Sequence, residues 1–289
     1  MLDINETAIL MARYIEEGKP FMVGRYGNSE MLMMEAYIKH RCNLRHRYHM
    51  VNLLHDSGGF FPNNLFLQKR FCEEMKKATE QVDIQATWDM AFEDELLKAW
   101  GNDPKRTKLG YITPWERYKY TEMTELPWSA ALKGKKVLVV HPFAKSIMKQ
   151  YSNNREKIFA KLLPADQILP EFDLKVFKSV QTIAGNKDPR FKDWFEALDW
   201  MSDEISKIDF DVAVLGCGAY GYPLAARIKK MGKGAIHLGG ATQCMFGIIG
   251  QRWKNFPGFM DIVYNDSWVT PSEEERPDNI SIVEGACYW

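Results

Sequence analysis

The stretch Phe210–Gly240, FDVAVLGCGAYGYPLAARIKKMGKGAIHLGG, decides the fold class. After Phe210-Asp211, Val212–Leu215 is a continuous apolar run, as a strand buried on both faces requires. The turn GCGAYG follows, and then a helical segment with Pro223 in its first turn, where an absent N–H is tolerated. MGKG stops that helix on glycine, and AIHLGG reads as another buried strand. Strand, helix and strand in this order predict parallel strands joined by a right-handed crossover.

The same alternation extends upstream. KKVLVV (Lys135–Val140) is a buried strand ending at HPFAKS, with a helix from about Lys145 to Lys161. LKVFKS (Leu174–Ser179) is a strand, QTIAGNKDP a loop, and residues of about 191–207 a helix. In the first half the pattern predicts a helix over 4–17 with Asn5 as its cap. A strand over Phe21–Arg25 and a helix from Ser29 to about His40 follow, its methionines read as core. VNLLHDSGGFFPNN (51–64) reads as a loop, Leu65–Thr79 as a helix, Ile84–Thr87 as a strand and 91–100 as a helix. Residues 113–134 are aromatic-rich without periodicity, and Trp115 and Trp128 there either pack or stack on a substrate. The expected architecture is α/β: a Rossmann-like, mostly parallel sheet flanked by helices, one domain over 1–289, with 266–289 as a tail wrapping the surface.

Composition narrows the partners. Lys plus Arg and Asp plus Glu both total 38, so no overall field favours nucleic acid or an anionic membrane. Hydrophobic residues make up 46%, too many for disorder. Cys42, Cys72, Cys217, Cys244 and Cys287 are odd in number and lack CxxC or zinc spacing, and so read as reduced thiols of a cytoplasmic protein. MLDINETAILMARYIEEGK lacks the basic start and apolar core of a signal peptide, and no apolar run approaches bilayer length.

Ligands of open α/β sheets bind at the carboxyl ends of the strands. Gly216-Cys217-Gly218-Ala219-Tyr220-Gly221 matches GxGxxG between strand and helix, a turn whose amides suit a phosphate. A nicotinamide dinucleotide also wants an acid at the end of the next strand, and here that strand ends His237-Leu238-Gly239-Gly240. Packing glycines alone would give the same turn. Gly240, Thr242 and Gln243 sit at that end, and His141, Lys145 and Ser146 at another; Ser146 binds phosphate or caps its helix. At the first strand's end, the Arg25 fork suits a diphosphate, and Glu30 with the Asn28 amide oxygen suits Mg²⁺ or Mn²⁺ shared with it. An Arg25–Glu30 ion pair with Asn28 in the left-handed region would explain the same residues.

RYGNSE (Arg25–Glu30) resembles the RxGDGE-type signature of the GT-D fold glycosyltransferases, a group first described as a domain of unknown function. VLGCGAYGYPLAARIKKMGKGAIHLGGATQ (Val214–Gln243) also looks like that family's C-terminal strand–helix–strand. The resemblance covers roughly residues 20–40 and 135–255. Arg25, Gly27 and Glu30 fall on the signature, Asn28 replaces its aspartate and Ser29 its second glycine, which removes a charge from the metal position. The resemblance implies a nucleotide-sugar donor, typically UDP-linked, a glycan or glycoconjugate acceptor, and a divalent metal at the signature. Glu30, His141 and Asp56 are the candidate groups beside the acceptor hydroxyl, and His55–Asp56 a candidate closing loop. An NAD(P)-linked oxidoreductase and a non-catalytic nucleotide-sugar-binding protein are the alternatives. Oligomeric state stays open.

Overall fold

The computed structural model describes residues 1–39, 44–88, 90–100, 102–162 and 165–289. Cys42 and the expected helix end at His40 lie outside them. Among the described residues seven strands form one sheet: β1 Phe21–Arg25, β2 Ile84–Thr87, β3 Lys105–Lys108, β4 Lys136–His141, β5 Asp173–Lys178, β6 Val212–Leu215 and β7 Gly234–His237. Every pairing is parallel, in the order β3-β2-β1-β7-β6-β4-β5. Val23 stands opposite Ile84 on one side and Ile236 on the other.

Side chains alternate across the pleat. Met22, Leu138 and Ala213 enter the core on one face of the sheet, and Val23, Val139 and Val214 that on the other. The first face is covered by α2 (Asn28–Ile38), α3 (Leu44–Leu53), α4 (Gln68–Thr79), α5 (Ala91–Ala99), α8 (Trp194–Ser206) and α9 (Gly221–Lys230). The second is covered by α1 (Ile4–Glu17), α6 (Ala144–Ile158), the one-turn α7 (Ala165–Ile168) and α10 (Ala241–Met245). Thus the chain leaves β1 and β6 toward one face, and their common neighbour β7 toward the other. Connections departing to opposite faces open a crevice at the strand ends.

Several local expectations change. The cap of α1 is Asp3, which accepts from the Glu6 amide while Glu6 accepts from its own. Asn5 instead holds the 122–125 segment through the Glu122 carbonyl and the Thr124 amide. Much of the expected 51–64 loop is helical: α3 runs into a π-helical turn, Leu54–Gly58. β3, KRTK, lies at the sheet edge with only Thr107 buried, so no apolar run marks it. Trp115 and Trp128 are 0% and 1% exposed, and the Trp128 indole donates to the Ile112 carbonyl; they are core, not a glycan platform. The tail does not merely wrap the surface either. Val283 and Cys287 are buried, and Tyr288 and Trp289 reach the crevice.

Candidate active site

The crevice is a cleft of about 750 Å³ at the ends of β1, β4, β6 and β7. Arg25, Gly27, Asn28, Glu30, His141, Gly216, Gly218, Tyr220, Gly240 and Gln243 all line it.

The stretch after β1 is built around its glycine. Gly27 is the N-cap of α2, and Glu30 stands at the third helical position, curled back over it. A Cβ on residue 27 would lie 2.0 Å from Glu30 Oε2. Ser29 donates to that same oxygen at 2.9 Å. The carboxylate is 6% exposed at the positive end of the helix. Asn28 has ordinary helical geometry and an exposed side chain, so the left-handed alternative falls.

Arg25 and Glu30 form no ion pair with each other, which removes the simplest structural account of both. The Arg25 guanidinium passes over Gly239, where a Cβ would stand 1.6 Å from Nη2. It donates from Nη1 to the Tyr26 carbonyl at 3.2 Å, while Nε is buried without a partner. Burial lowers its pKa; Glu30 and Tyr288 oppose that shift, and Arg252 adds to it. Trp88 stacks below it at 5.8 Å.

Arg252 is a second cation in the cleft that sequence reasoning missed. Its Nη2 binds Glu284 at 2.6 Å, and its guanidinium lies 4.7 Å from the Tyr288 ring centroid. Glu116, bonded to Lys119 at 2.8 Å, also lines the cleft, and burial raises its pKa. These residues come from segments without periodicity or motif.

His141 accepts the Phe143 amide at Nδ1, 3.0 Å away, so its proton sits on Nε2. Burial holds its pKa down to about 3. The ring is therefore neutral, and the proton it presents is on Nε2. His237 has the opposite tautomer: Nδ1–H donates to the Arg25 carbonyl at 3.0 Å, leaving Nε2 buried and unpartnered. Burial, with Arg25 nearby, holds it too at about 3.

The remaining candidates separate. Asp56 does not line the cleft; its carbonyl accepts the Ala184 amide at 2.8 Å, and Ser57 and Gly58 form the wall instead. His55 binds the Phe60 carbonyl at 2.7 Å within the same segment. Ser146 lies outside the cleft, and the first amides of α6 donate to Glu275, which also accepts the Ser146 hydroxyl. A carboxylate 129 residues away thus fills the place expected for phosphate. Ala219 and Thr242 stand behind the lining; Thr242 donates to the Leu215 carbonyl. The GxGxxG glycines have packing reasons of their own, since a Cβ at Gly216 would meet the Gly239 carbonyl at 2.5 Å and one at Gly221 the His237 ring at 2.3 Å.

Five lining residues carry buried polar atoms without a partner: Arg25 Nε, Gln181 Nε2, His237 Nε2, Gln243 Oε1 and Trp289 Nε1. Atoms of the same kind also occur in the core, at Gln68, Trp115, Ser129 and Trp194, so those in the cleft are groups a polar ligand could pair with and not by themselves the mark of one. For a divalent metal, the described residues hold no cluster of three or more His, Cys, Asp or Glu. Glu30 and Asn28, two residues apart on α2, bring one carboxylate and one amide oxygen to the cleft lining.

No family model matches the chain, and no curated protein matches it. Among solved structures it is similar to the selenomethionine-substituted structure of domain of unknown function 1792, at 13% identity over 81% of this chain and 77% of that one, with a TM-score of 0.43. No helix among the described residues is long and apolar enough to cross a membrane.

Proposed function

We propose that the chain is a nucleotide-sugar-dependent glycosyltransferase of the GT-D type, taking a UDP-linked donor and a glycan or glycoconjugate acceptor. The observation that carries this reading is that Arg25 and Glu30, both on the signature-like RYGNSE, reach one cleft without pairing with each other. Arg25 and Arg252 neutralise the donor diphosphate, and the unpartnered Nε of Arg25 gains an acceptor there. The Gln181 and Gln243 amides are placed to hydrogen-bond polar edges of the ligand.

In the transfer, the acceptor oxygen bonds to the anomeric carbon as the anomeric bond to the diphosphate breaks, the electron pair leaving with phosphate. The acceptor proton needs a base. Of Glu30, His141 and Asp56, only Glu30 combines cleft position with an ionisable acceptor, while His141 donates from Nε2. Mg²⁺ or Mn²⁺, where bound, would be held by Glu30 and Asn28 and would stabilise charge on the leaving diphosphate. The dinucleotide alternative is weaker, because β7 ends without the acid that a ribose requires.

A panel of UDP-sugars, with and without Mn²⁺ and read by UDP release, tests the proposal. Turnover of at least one donor is expected, with Mn²⁺ dependence assigning Glu30 to metal or to proton transfer. Tight UDP binding without turnover of any donor would place the chain among non-catalytic binding proteins.

A further inference from the structure

Residues 36–55 contain no Asp or Glu, in a chain whose charges otherwise balance. The described part of this run is mostly α3. Its first turns carry Arg45 and Arg47, neither of which makes an ion pair among the described residues; Arg47 only donates from Nε to Gln68 at 2.8 Å. Leu44 and Tyr48, one turn apart on the helix, are 70% and 53% exposed, and Phe66, just before Gln68, is 91% exposed. Neighbouring cations are already paired: Lys39 with Glu35 and Glu95, Lys69 with Glu73, and Arg70 with Asp193.

We propose that this face, Leu44, Arg45, Arg47, Tyr48 and Phe66, docks on an anionic membrane surface. The occupant follows from charge and shape together. Guanidinium groups meet anionic headgroups, and an aliphatic and two aromatic side chains standing out beside them fit the headgroup–acyl boundary. Nucleic acid would be matched by the charge but would leave Leu44 without a partner. The face is also linked to the cleft. From Leu44 to Leu53, α3 spans about 14 Å, and the turn that continues it supplies the cleft wall at Ser57 and Gly58. A surface-bound molecule would thus hold its cleft close to headgroup-linked material. This inference does not rest on the glycosyltransferase reading.

The test is co-sedimentation of the full chain with phosphatidylcholine vesicles, alone or with one part in four phosphatidylglycerol, alongside a fluorescent duplex DNA. Binding is expected to the anionic vesicles only, weakening as salt rises. The double variant Arg45→Gln/Arg47→Gln should bind them about thirtyfold less tightly. Phe66→Ser, at a side chain outside the core, should also weaken binding while melting as wild type does. Equal sedimentation with neutral and anionic vesicles, capture of DNA without vesicle binding, or unchanged binding by both variants would overturn the proposal.

Discussion

Glu30 occupies the space that a side chain at Gly27 would need, its Oε2 lying 2.0 Å from where that Cβ would stand. The backbone of Gly27 is extended, with φ −75° and ψ 155°, so alanine is allowed there by torsion and forbidden by the carboxylate. Gly27→Ala should therefore displace Glu30 with little damage to the fold. Turnover is expected to fall at least tenfold, approaching that of Glu30→Gln, while the melting temperature moves by only a few degrees. Steady-state rates alongside thermal melts check this; full activity in Gly27→Ala would detach Glu30 from the chemistry.

Gly239 stands in the same relation to Arg25. At φ +63°, and with its Cβ position 1.6 Å from Nη2, it leaves room for the guanidinium and for no side chain. Gly239→Ala should push Arg25 out of place and weaken UDP binding by about tenfold to a hundredfold, as expected for a lost charge-assisted hydrogen bond. Calorimetry on the variant checks it, and wild-type affinity would mean that Arg25 does not hold the ligand.

Glu275 should matter for stability and not for ligand. It accepts from the Lys145 and Ser146 amides at the start of α6 and from the Ser146 hydroxyl. Glu275→Ala should cost about 1–3 kcal/mol in urea unfolding, through loss of a charged acceptor at a helix N-terminus. UDP affinity should stay within about twofold. A large loss of affinity would return Ser146 to the ligand site.

Two neutral histidines give the fold an acid limb. His141 and His237 are held at about 3, against an ordinary 6.5. Between those values the unfolded chain binds protons that the folded chain does not, so stability falls as pH drops from about 6.5 toward 3. At about pH 4.5 each histidine lowers stability by roughly 2–3 kcal/mol relative to pH 7. His237→Asn keeps a donor for the Arg25 carbonyl and should remove about half of that acid loss in urea titrations. An acid limb of unchanged depth would contradict the neutral assignment of His237.

The elements that were legible in the sequence are those whose burial is one-sided or complete. β1, β4, β6 and β7 are mostly apolar and buried, β2 (IQAT) is short but buried throughout and β5 (DLKVFK) alternates, and the glycine stops and Pro223 punctuate them. α3 was hidden because the helix buries only Met50 and Val51, and β3 because an edge strand of lysines carries no apolar signal. RYGNSE was legible as a candidate site because its residues exceed what a turn needs, and five of them line the cleft. Arg252, Glu116 and Tyr288 were not, since they reach the cleft through irregular segments whose placement depends on tertiary packing. Ser146 misled for a related reason: the group that fills its helix end, Glu275, lies far away in sequence.

On the proposed function, Arg25 and its neighbours hold a nucleoside diphosphate. Calorimetric titration of UDP into the wild-type chain and into Arg25→Ala tests it most directly. Binding by the wild type is expected, weakened at least tenfold in the folded variant. No measurable binding of UDP by the wild type, or equal affinity in both proteins, would contradict it.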